Sequence, residues 1–299
     1  MGSIVPNSSI NNLGISTTFI PDGNPLYNAL DQLNNIGLGL VELGSNHCFE
    51  GNYEYLNNYP FNYLVHNYFP IPRESFVVNI ASFNDLIRRK SINHIKNAID
   101  FCSIIDAKLY TFHPGFLTDP KGSNISIKNY DFQWDDLELK NVNFKKAKKY
   151  MYLALDEIIK YADDKQIRIA IETEGSITKK NHLLMQNLEE YEELTHKYSN
   201  NDLGINLNIG HLQLASNAFG FDYNIFINQI QDYIVALELS HNDGYEDQHL
   251  PLEPIGWYWN LINDYRFKDS YKILEYRNTD ISQIKKTIRL YEEISVAFP

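Results

Sequence analysis

Several short apolar segments of this chain each end at, or just before, a side chain that can bind a metal ion. These side chains are His66, His113, Glu172, Asn208, His211, Glu238, Asp247, His249 and Glu275. The segments before them have the apolar, β-type composition of buried strands. In a barrel of parallel strands the C-terminal strand ends meet at one rim, and barrel enzymes carry their chemistry there. The pattern therefore predicts a metal-dependent active site.

Three of these side chains stand out from ordinary polar residues. His66 ends the run Tyr63–Val65, and His113 ends another run before a Pro-Gly turn. Glu172 follows an apolar run, and a carboxylate at that depth needs a cation or a hydrogen-bond partner because unpaired burial costs several kcal/mol. In contrast, His94 and His196 lie inside helical patterns, and we expect them to be surface or hydrogen-bonded residues.

Short apolar runs alternate with longer helical patterns along the chain, which indicates repeated βα units and a parallel sheet. Eight strands are predicted, as many as a (β/α)₈ barrel needs. They lie near Gly14–Phe19, Leu38–Glu42, Asn62–His66, Lys108–Phe112, Arg168–Glu172, Gly204–Leu207, Val235–Leu239 and Tyr271–Glu275.

Helical spacing of apolar residues fills several of the intervals between these strands. Predicted helices run through Ile92–Cys102, Ala147–Ile158, Leu188–Leu194 and Ile281–Ile294. No linker divides the chain, so we expect a single barrel domain over residues 13–299. Residues 1–12 are expected to form a flexible N-terminal extension. A polar stretch from about Leu117 to Val142 is predicted to be a long loop over the barrel mouth.

Composition limits the function classes further. The 299-residue chain is 43% hydrophobic with a formal charge of −12, so it can build a large core, and broad contact with duplex DNA is disfavoured. Two cysteines imply no disulfide framework. We see neither a signal sequence nor a membrane span, and we expect a cytoplasmic protein that has a small-molecule partner and could form a homo-oligomer.

These motifs resemble the xylose isomerase-like barrel superfamily, which contains endonuclease IV and many sugar and sugar-phosphate isomerases and epimerases. The resemblance runs from about Leu13 to Glu293. Its most specific parts are His66 through Thr111–Gly115, the Asn208-x-x-His211 pair, and Asp243 through His249.

The resemblance implies a set of metal ligands. Relatives such as endonuclease IV hold three ions. Matched by motif, the first ion takes His66, His113 and Glu172, the third takes His211, Asp247 and His249, and the central one takes Glu172, Asn208, Glu238 and Glu275. The chain departs from the family at the centre, with Asn208 in place of Asp and Glu238 in place of His.

The two departures leave only oxygen donors in the central group. Oxygen-only coordination favours Mg²⁺ or Mn²⁺, and Zn²⁺ stays an alternative. We hypothesise one hard cation held by Glu172, Glu238 and Glu275. Asn208 then either binds weakly or donates a hydrogen bond to the ligands. The rival interpretation is that the double change abolished metal binding.

The resemblance favours an isomerase or epimerase of a small sugar or sugar phosphate. In the epimerases, the glutamates that match Glu172 and Glu275 transfer a proton next to a carbonyl through an enediolate, and Glu174 is a reserve candidate. We expect His113 and His211 to contact the substrate. Arg277 either binds a substrate carboxylate or phosphate or forms a structural ion pair.

Two alternatives remain at this point. The intact His66/His113 and His211/Asp247/His249 sets favour an endonuclease IV-like phosphodiester hydrolase, but the acidic composition and the altered centre oppose it, so a nucleic-acid substrate is not expected. A sugar-binding barrel that has lost turnover is the non-enzymatic alternative, and Asn208 is the feature that supports it.

Overall fold

The described residues form a closed barrel of eight parallel strands that pair in chain order, and β8 pairs with β1 to close it. This is a computed structural model, which describes residues 12–120, 134, 140 and 142–296. The strands are β1 (Leu13–Ser16), β2 (Leu40–Leu43), β3 (Asn62–His66), β4 (Leu109–Phe112), β5 (Arg168–Glu172), β6 (Gly204–Asn208), β7 (Ile234–Leu239) and β8 (Tyr271–Leu274).

Helices surround the barrel. The α-helices in the described part of the chain are α1 (Leu26–Leu33), α2 (Asp85–Ile105), α3 (Phe144–Lys165), α4 (Leu188–Lys197), α5 (Ile209–Phe219), α6 (Tyr223–Ile230), α7 (Tyr258–Ile262) and α8 (Ile281–Val296). Short 3-10 helices occupy Thr17–Phe19, Glu54–Asn58, Gln231–Tyr233 and Tyr265–Phe267. Within the described ranges, no helix is both long and apolar enough to cross a lipid bilayer.

The long helices begin at capping residues and bury the faces that the sequence predicts. Asn84 caps α2 by accepting a hydrogen bond from the Leu86 backbone, and Asn143 caps α3 in the same way from Lys146. In α2 the predicted apolar residues Ile92, Ile95, Ala98, Ile99 and Cys102 are all buried. Burying these faces against the barrel supplies most of the hydrophobic stabilisation of such helices.

Inside the barrel, alternation along each strand produces two layers of inward-facing side chains. The lower layer is an apolar cluster that we call the floor, formed by Leu40, Leu64, Leu109, Ala170, Ala236 and Ile273. Gly14 has no side chain here, and an added Cβ would lie 2.8 Å from Leu40 Cγ and 3.0 Å from Ile273 Cδ1. The close approach to these two side chains therefore requires glycine at this position of β1.

The predicted (β/α)₈ barrel is confirmed, and each predicted strand overlaps an observed one. The C-terminal ends of four strands differ from the prediction. β1 stops at Ser16 because Thr17–Phe19 turns into a 3-10 helix, β2 extends to Leu43, β6 extends to Asn208, and β8 ends at Leu274. The sequence-based list omitted α1, α5, α6 and α7. Most of the predicted extension 1–12 and of the loop 117–142 lies outside the described residues.

Candidate metal centre at the barrel mouth

The first group of predicted ligands comes together where β3, β4 and β5 end. His66 Nε2 lies 3.6 Å and His113 Nε2 lies 3.5 Å from Glu172 Oε2. The other nitrogen of each imidazole is engaged, because His66 Nδ1 lies 2.8 Å from Thr111 Oγ1 and His113 Nδ1 lies 2.8 Å from Glu174 Oε1. The Glu174 carboxylate accepts, so we infer that His113 Nδ1 carries a proton, and the Thr111 hydroxyl can accept from His66 Nδ1 in the same way. In both rings Nε2 faces Glu172.

The second group forms where β6 and β7 end. His211 Nε2 lies 3.4 Å and His249 Nε2 lies 3.0 Å from Asp247 Oδ2. His211 Nδ1 donates to the Thr173 carbonyl at 2.9 Å, which turns the opposite nitrogen toward Asp247. The backbone just after β5 approaches α5 closely here, since a Cβ on Gly175 would lie 2.0 Å from the His211 carbonyl oxygen. A glycine at this position is therefore required to seat His211.

Between the two groups, three carboxylates surround the side-chain amide of Asn208. Asn208 Nδ2 lies 3.0 Å from Glu172 Oε1, 3.0 Å from Glu238 Oε2 and 3.3 Å from Glu275 Oε2. Asn208 is also the N-cap of α5, and its Oδ1 accepts hydrogen bonds from the backbone of Gly210 at 3.0 Å and of His211 at 3.2 Å. The amide nitrogen, not the oxygen, therefore faces the carboxylates.

Two buried residues join this centre that the sequence-based list left out. Asn206, two positions before Asn208 on the same face of β6, donates to Glu238 Oε1 at 2.5 Å. Glu42 lies beside His66 and Glu238, with ligand-capable atoms of the three within 4.8 Å of one another. Glu42 ended a predicted strand just as Glu172 did, so the same rule could have found it.

Opposite charges hold the first group together. Burial opposes ionisation of Glu172, but the imidazoles of His113, His211 and His66 lower the pKa of its carboxyl below the ordinary range. Burial also opposes protonation of His113. The negative charges of Glu172 and Glu174 outweigh this effect, so the pKa of that imidazole rises to about 9. Burial lowers the pKa of His66.

The second group shows the same balance. Burial would raise the pKa of Asp247, yet His249 and His211 bring it well below the ordinary range. Burial and Arg277 both lower the pKa of His249, but Asp247 and Glu275 raise it to about 9. Each group is thus an ionised carboxylate whose charge is balanced by protons on imidazole, and a metal ion binds to such ligands by displacing protons.

The carboxyls at the centre behave differently. Burial raises the pKa of Glu238 well above the ordinary range, and the charges of Glu172 and Glu275 add to this effect. Burial and the neighbouring Glu275 do the same for Glu42. In contrast, His249 lowers the pKa of Glu275 although burial opposes it. Negative charge is therefore concentrated beside the histidines and disfavoured deeper in the barrel.

The two histidine groups fit a metal ion. Glu172 Oε2 and Asp247 Oδ1 are buried and accept no hydrogen bond. In the first group, both nitrogen–oxygen separations of 3.5–3.6 Å are too long for hydrogen bonds. They match the spacing of roughly 3.4 Å between ligands that each bind one ion tetrahedrally at about 2.1 Å. Two imidazoles and a carboxylate are also a common donor set of protein-bound zinc.

The remaining predicted residues lie around this centre. Glu174, the reserve candidate, is buried and contacts His113, so it orients an imidazole. Arg277 is exposed, its backbone N–H donates to the His249 carbonyl at 3.3 Å, and its charge acts on His249. Away from the centre, His94 is buried in α2, whereas His196 is exposed on α4.

Comparison with known proteins agrees with this architecture. The family described as Xylose isomerase-like TIM barrel matches residues 53–294. The chain belongs to this family. The predicted resemblance is therefore confirmed, and the match spans every residue of both histidine groups. Glu42, Gly14 and the first two strands lie outside the matched range.

The chain is also similar to individual proteins in sequence and in structure. Two uncharacterized proteins of Methanocaldococcus jannaschii are each 25% identical. One match covers 94% of this chain and 98% of the relative, and the other covers 58% of this chain and 52% of the relative. A D-tagatose 3-epimerase-like protein has a similar structure, with TM-score 0.70 and 21% identity over 96% of this chain and 98% of that one. A family 2 AP endonuclease from Brucella melitensis also has a similar structure, with TM-score 0.63 and 12% identity over 92% of this chain and 96% of that one.

Proposed function

We propose that this chain is a divalent-metal-dependent isomerase or epimerase of a small sugar or sugar phosphate. The observation that carries the proposal is the position of Glu172 between the two histidine groups. Its Oε2 faces His66 and His113, while its Oε1 lies 3.1 Å from His211 Nδ1. The similar folds of proteins named as sugar 3-epimerases add support.

The metal would be held by the two histidine groups, His66/His113/Glu172 and His211/Asp247/His249. When bound, a divalent ion supplies Lewis-acid polarisation of a substrate carbonyl or hydroxyl oxygen. Their mixed nitrogen and oxygen donors favour Zn²⁺ or Mn²⁺ over Mg²⁺. The hard cation hypothesised from the sequence at Glu172, Glu238 and Glu275 is not part of this proposal. Of the two roles expected for Asn208, donation of a hydrogen bond fits the observed orientation better than ligation.

Glu172 and Glu275 would move the proton, as the sequence predicts. Both carboxylates contact Asn208 Nδ2, so one amide fixes their relative positions. The lowered pKa of each keeps the carboxylate ionised, which is the protonation state that a general base needs. Glu275 Oε2 also lies 3.0 Å from His249 Nδ1, and this contact stabilises the ionised carboxylate.

Deuterium wash-in tests this proposal. The metal-loaded protein is incubated in D₂O with a panel of free and phosphorylated ketoses and aldoses, and the sugars are analysed by mass spectrometry. We expect one carbon-bound hydrogen of the true substrate to exchange and Glu172→Gln to slow this exchange strongly. Glu189→Gln makes the same change on an exposed position of α4 and serves as the matched control. Tight sugar binding without exchange would indicate the sugar-binding barrel instead.

Phosphodiester hydrolysis is the second candidate because the chain keeps two separate histidine groups rather than one. Clustered ions at such groups stabilise both the attacking and the leaving oxygen. Incubation with a duplex that carries one abasic site, with Zn²⁺ or Mn²⁺ present, tests this function directly. Strand cleavage that Asp247→Asn removes would establish the hydrolase and displace the isomerase proposal.

A further inference from the structure

The amide of Asn208 occupies the space between three carboxylates that the family resemblance assigns to a central cation. Its two hydrogens are shared among Glu172, Glu238 and Glu275, over nitrogen–oxygen distances of 3.0–3.3 Å. An amide nitrogen has no lone pair available for a metal ion, and a donor directed at carboxylate oxygens uses the electron pairs that an ion would need. The three carboxylate oxygens that face Asn208 are therefore already satisfied by hydrogen bonds.

The first turn of α5 fixes the orientation of this amide. Asn208 Oδ1 accepts from two backbone N–H groups at the start of α5, those of Gly210 and His211. The first N–H groups of a helix have no partner within the helix, so rotating the amide would leave them facing an NH₂ group. The Asn208 backbone is held as well, since its N–H donates to Thr173 Oγ1 at 2.9 Å. The helix cap thus determines which atom enters the ring.

Glu238 is engaged on both oxygens by the same strand. Oε1 accepts from Asn206 Nδ2 at 2.5 Å and Oε2 accepts from Asn208 Nδ2 at 3.0 Å. Two side-chain amides two residues apart on β6 therefore hold this carboxyl in a closed hydrogen-bonded pair. An aspartate at position 208 would keep the helix cap with one oxygen and present the other oxygen to the ring.

We propose that Asn208 acts as a built-in substitute for a cation. It closes the central carboxylate ring to metal and confines divalent ions to the two flanking histidine groups. This inference rests on the proposed metal-binding function of those groups. It assigns Asn208 a role in setting the number of ions per chain, and it makes Glu238 a hydrogen-bond partner of β6 instead of a ligand.

The test counts ions and does not use turnover. Three proteins are stripped of metal with a chelator: wild type, Asn208→Asp and Asn206→Asp. Each is dialysed against the same free Mn²⁺ concentration, and bound metal per chain is measured by mass spectrometry. We expect Asn208→Asp to bind one ion more than wild type. Asn206→Asp adds the same charge two residues earlier, against one carboxylate in place of three, and we expect it to match wild type. Equal counts for wild type and Asn208→Asp would overturn the proposal.

A second measurement covers the case in which Asn208→Asp does not fold. In ¹⁵N-labelled wild type, the side-chain NH₂ of Asn208 should stay protected from solvent exchange when Zn²⁺ is added to saturation. Loss of that protection would show that an ion enters the ring and displaces the amide, which contradicts the proposal. Because neither readout involves a sugar, an absence of deuterium wash-in would remove the proposed enzymatic function and leave this inference standing.

Discussion

Two layers of the barrel interior use the same strands for opposite purposes. The floor is apolar on six strands, and two residues further along each strand the inward position is polar. The six pairs are Leu40 and Glu42, Leu64 and His66, Leu109 and Thr111, Ala170 and Glu172, Ala236 and Glu238, and Ile273 and Glu275. Both layers are almost fully buried, so exposure to water does not explain the change in residue type.

The difference shows how a barrel can keep charged groups away from water. The floor closes the interior from below and contributes hydrophobic stabilisation of roughly 25 cal/mol per Å² of buried apolar surface. The mouth layer gains little from burial, because desolvating a charge is costly unless a partner compensates. Its members are therefore paired with each other, as Glu172 is with His66 and His113. Stability and chemistry should accordingly respond to different substitutions.

The largest expected effect comes from the mouth layer. Glu172→Gln keeps the size of the side chain but removes the ionised carboxylate that both histidine groups share. We expect deuterium wash-in to slow by roughly 10²–10⁴-fold, the range typical for loss of a general acid or base. We also expect bound metal to fall. Unfolding midpoints close to wild type would confirm that the loss is chemical, whereas unchanged metal content would count against Glu172 as a ligand.

The floor should show the reverse response. Leu64 lies two residues before His66 and is 2% exposed, so Leu64→Ala leaves a cavity beneath the mouth layer. We expect a loss of about 2–5 kcal/mol in the free energy of unfolding, measured in urea, with the metal content of the folded protein unchanged. If Leu64→Ala removed metal as completely as Glu172→Gln, the two layers would not be separable.

The floor and most of the mouth layer follow from the strand pattern alone. Each apolar run that stops at His66, Glu172 or Glu238 places that residue on the inward face, so these three ligands lie together at the mouth. Glu42 fits the same rule, although the family pattern gave no reason to select it. The orientation of Asn208 could not be predicted, because it depends on α5 beginning at the next residue and using the side-chain oxygen as its cap. An isolated strand pattern contains no information about that choice.

The helical shell provides a third region whose response to acid differs from both layers. His94 is buried in α2 against Tyr68 and Phe76, and burial lowers its pKa from 6.5 to about 4. The unfolded imidazole binds a proton as the pH falls below 6.5, but the folded one does not until about pH 4. The free energy of unfolding should therefore decrease over this window, by up to about 3 kcal/mol.

His94→Gln removes this titrating group and should reduce the pH dependence of the metal-free protein between pH 6.5 and 4. The remaining dependence includes the contribution of His47, whose pKa burial also lowers to about 4. Urea unfolding at several pH values in the presence of a chelator measures this pH dependence. His196→Gln, at an exposed position of α4, is the matched control and should retain the wild-type slope. An unchanged slope in His94→Gln would show that His94 does not contribute to the acid sensitivity of the fold.

The smallest expected effect comes from a mouth residue that we do not expect to contact metal. Thr111 Oγ1 lies 2.8 Å from His66 Nδ1, and Thr111→Val keeps the shape of the side chain while removing this hydrogen bond. Partners that orient a histidine ligand are typically worth about 10–100-fold in metal affinity. We expect a loss near the lower limit, because Glu238 Oε1 lies 3.5 Å from the same nitrogen and can partly replace Thr111. Thr111→Ser keeps the hydroxyl and should restore the affinity in competition titrations. If Thr111→Ser were as weak as Thr111→Val, the methyl group would be the important part of Thr111, and packing instead of hydrogen bonding would orient His66.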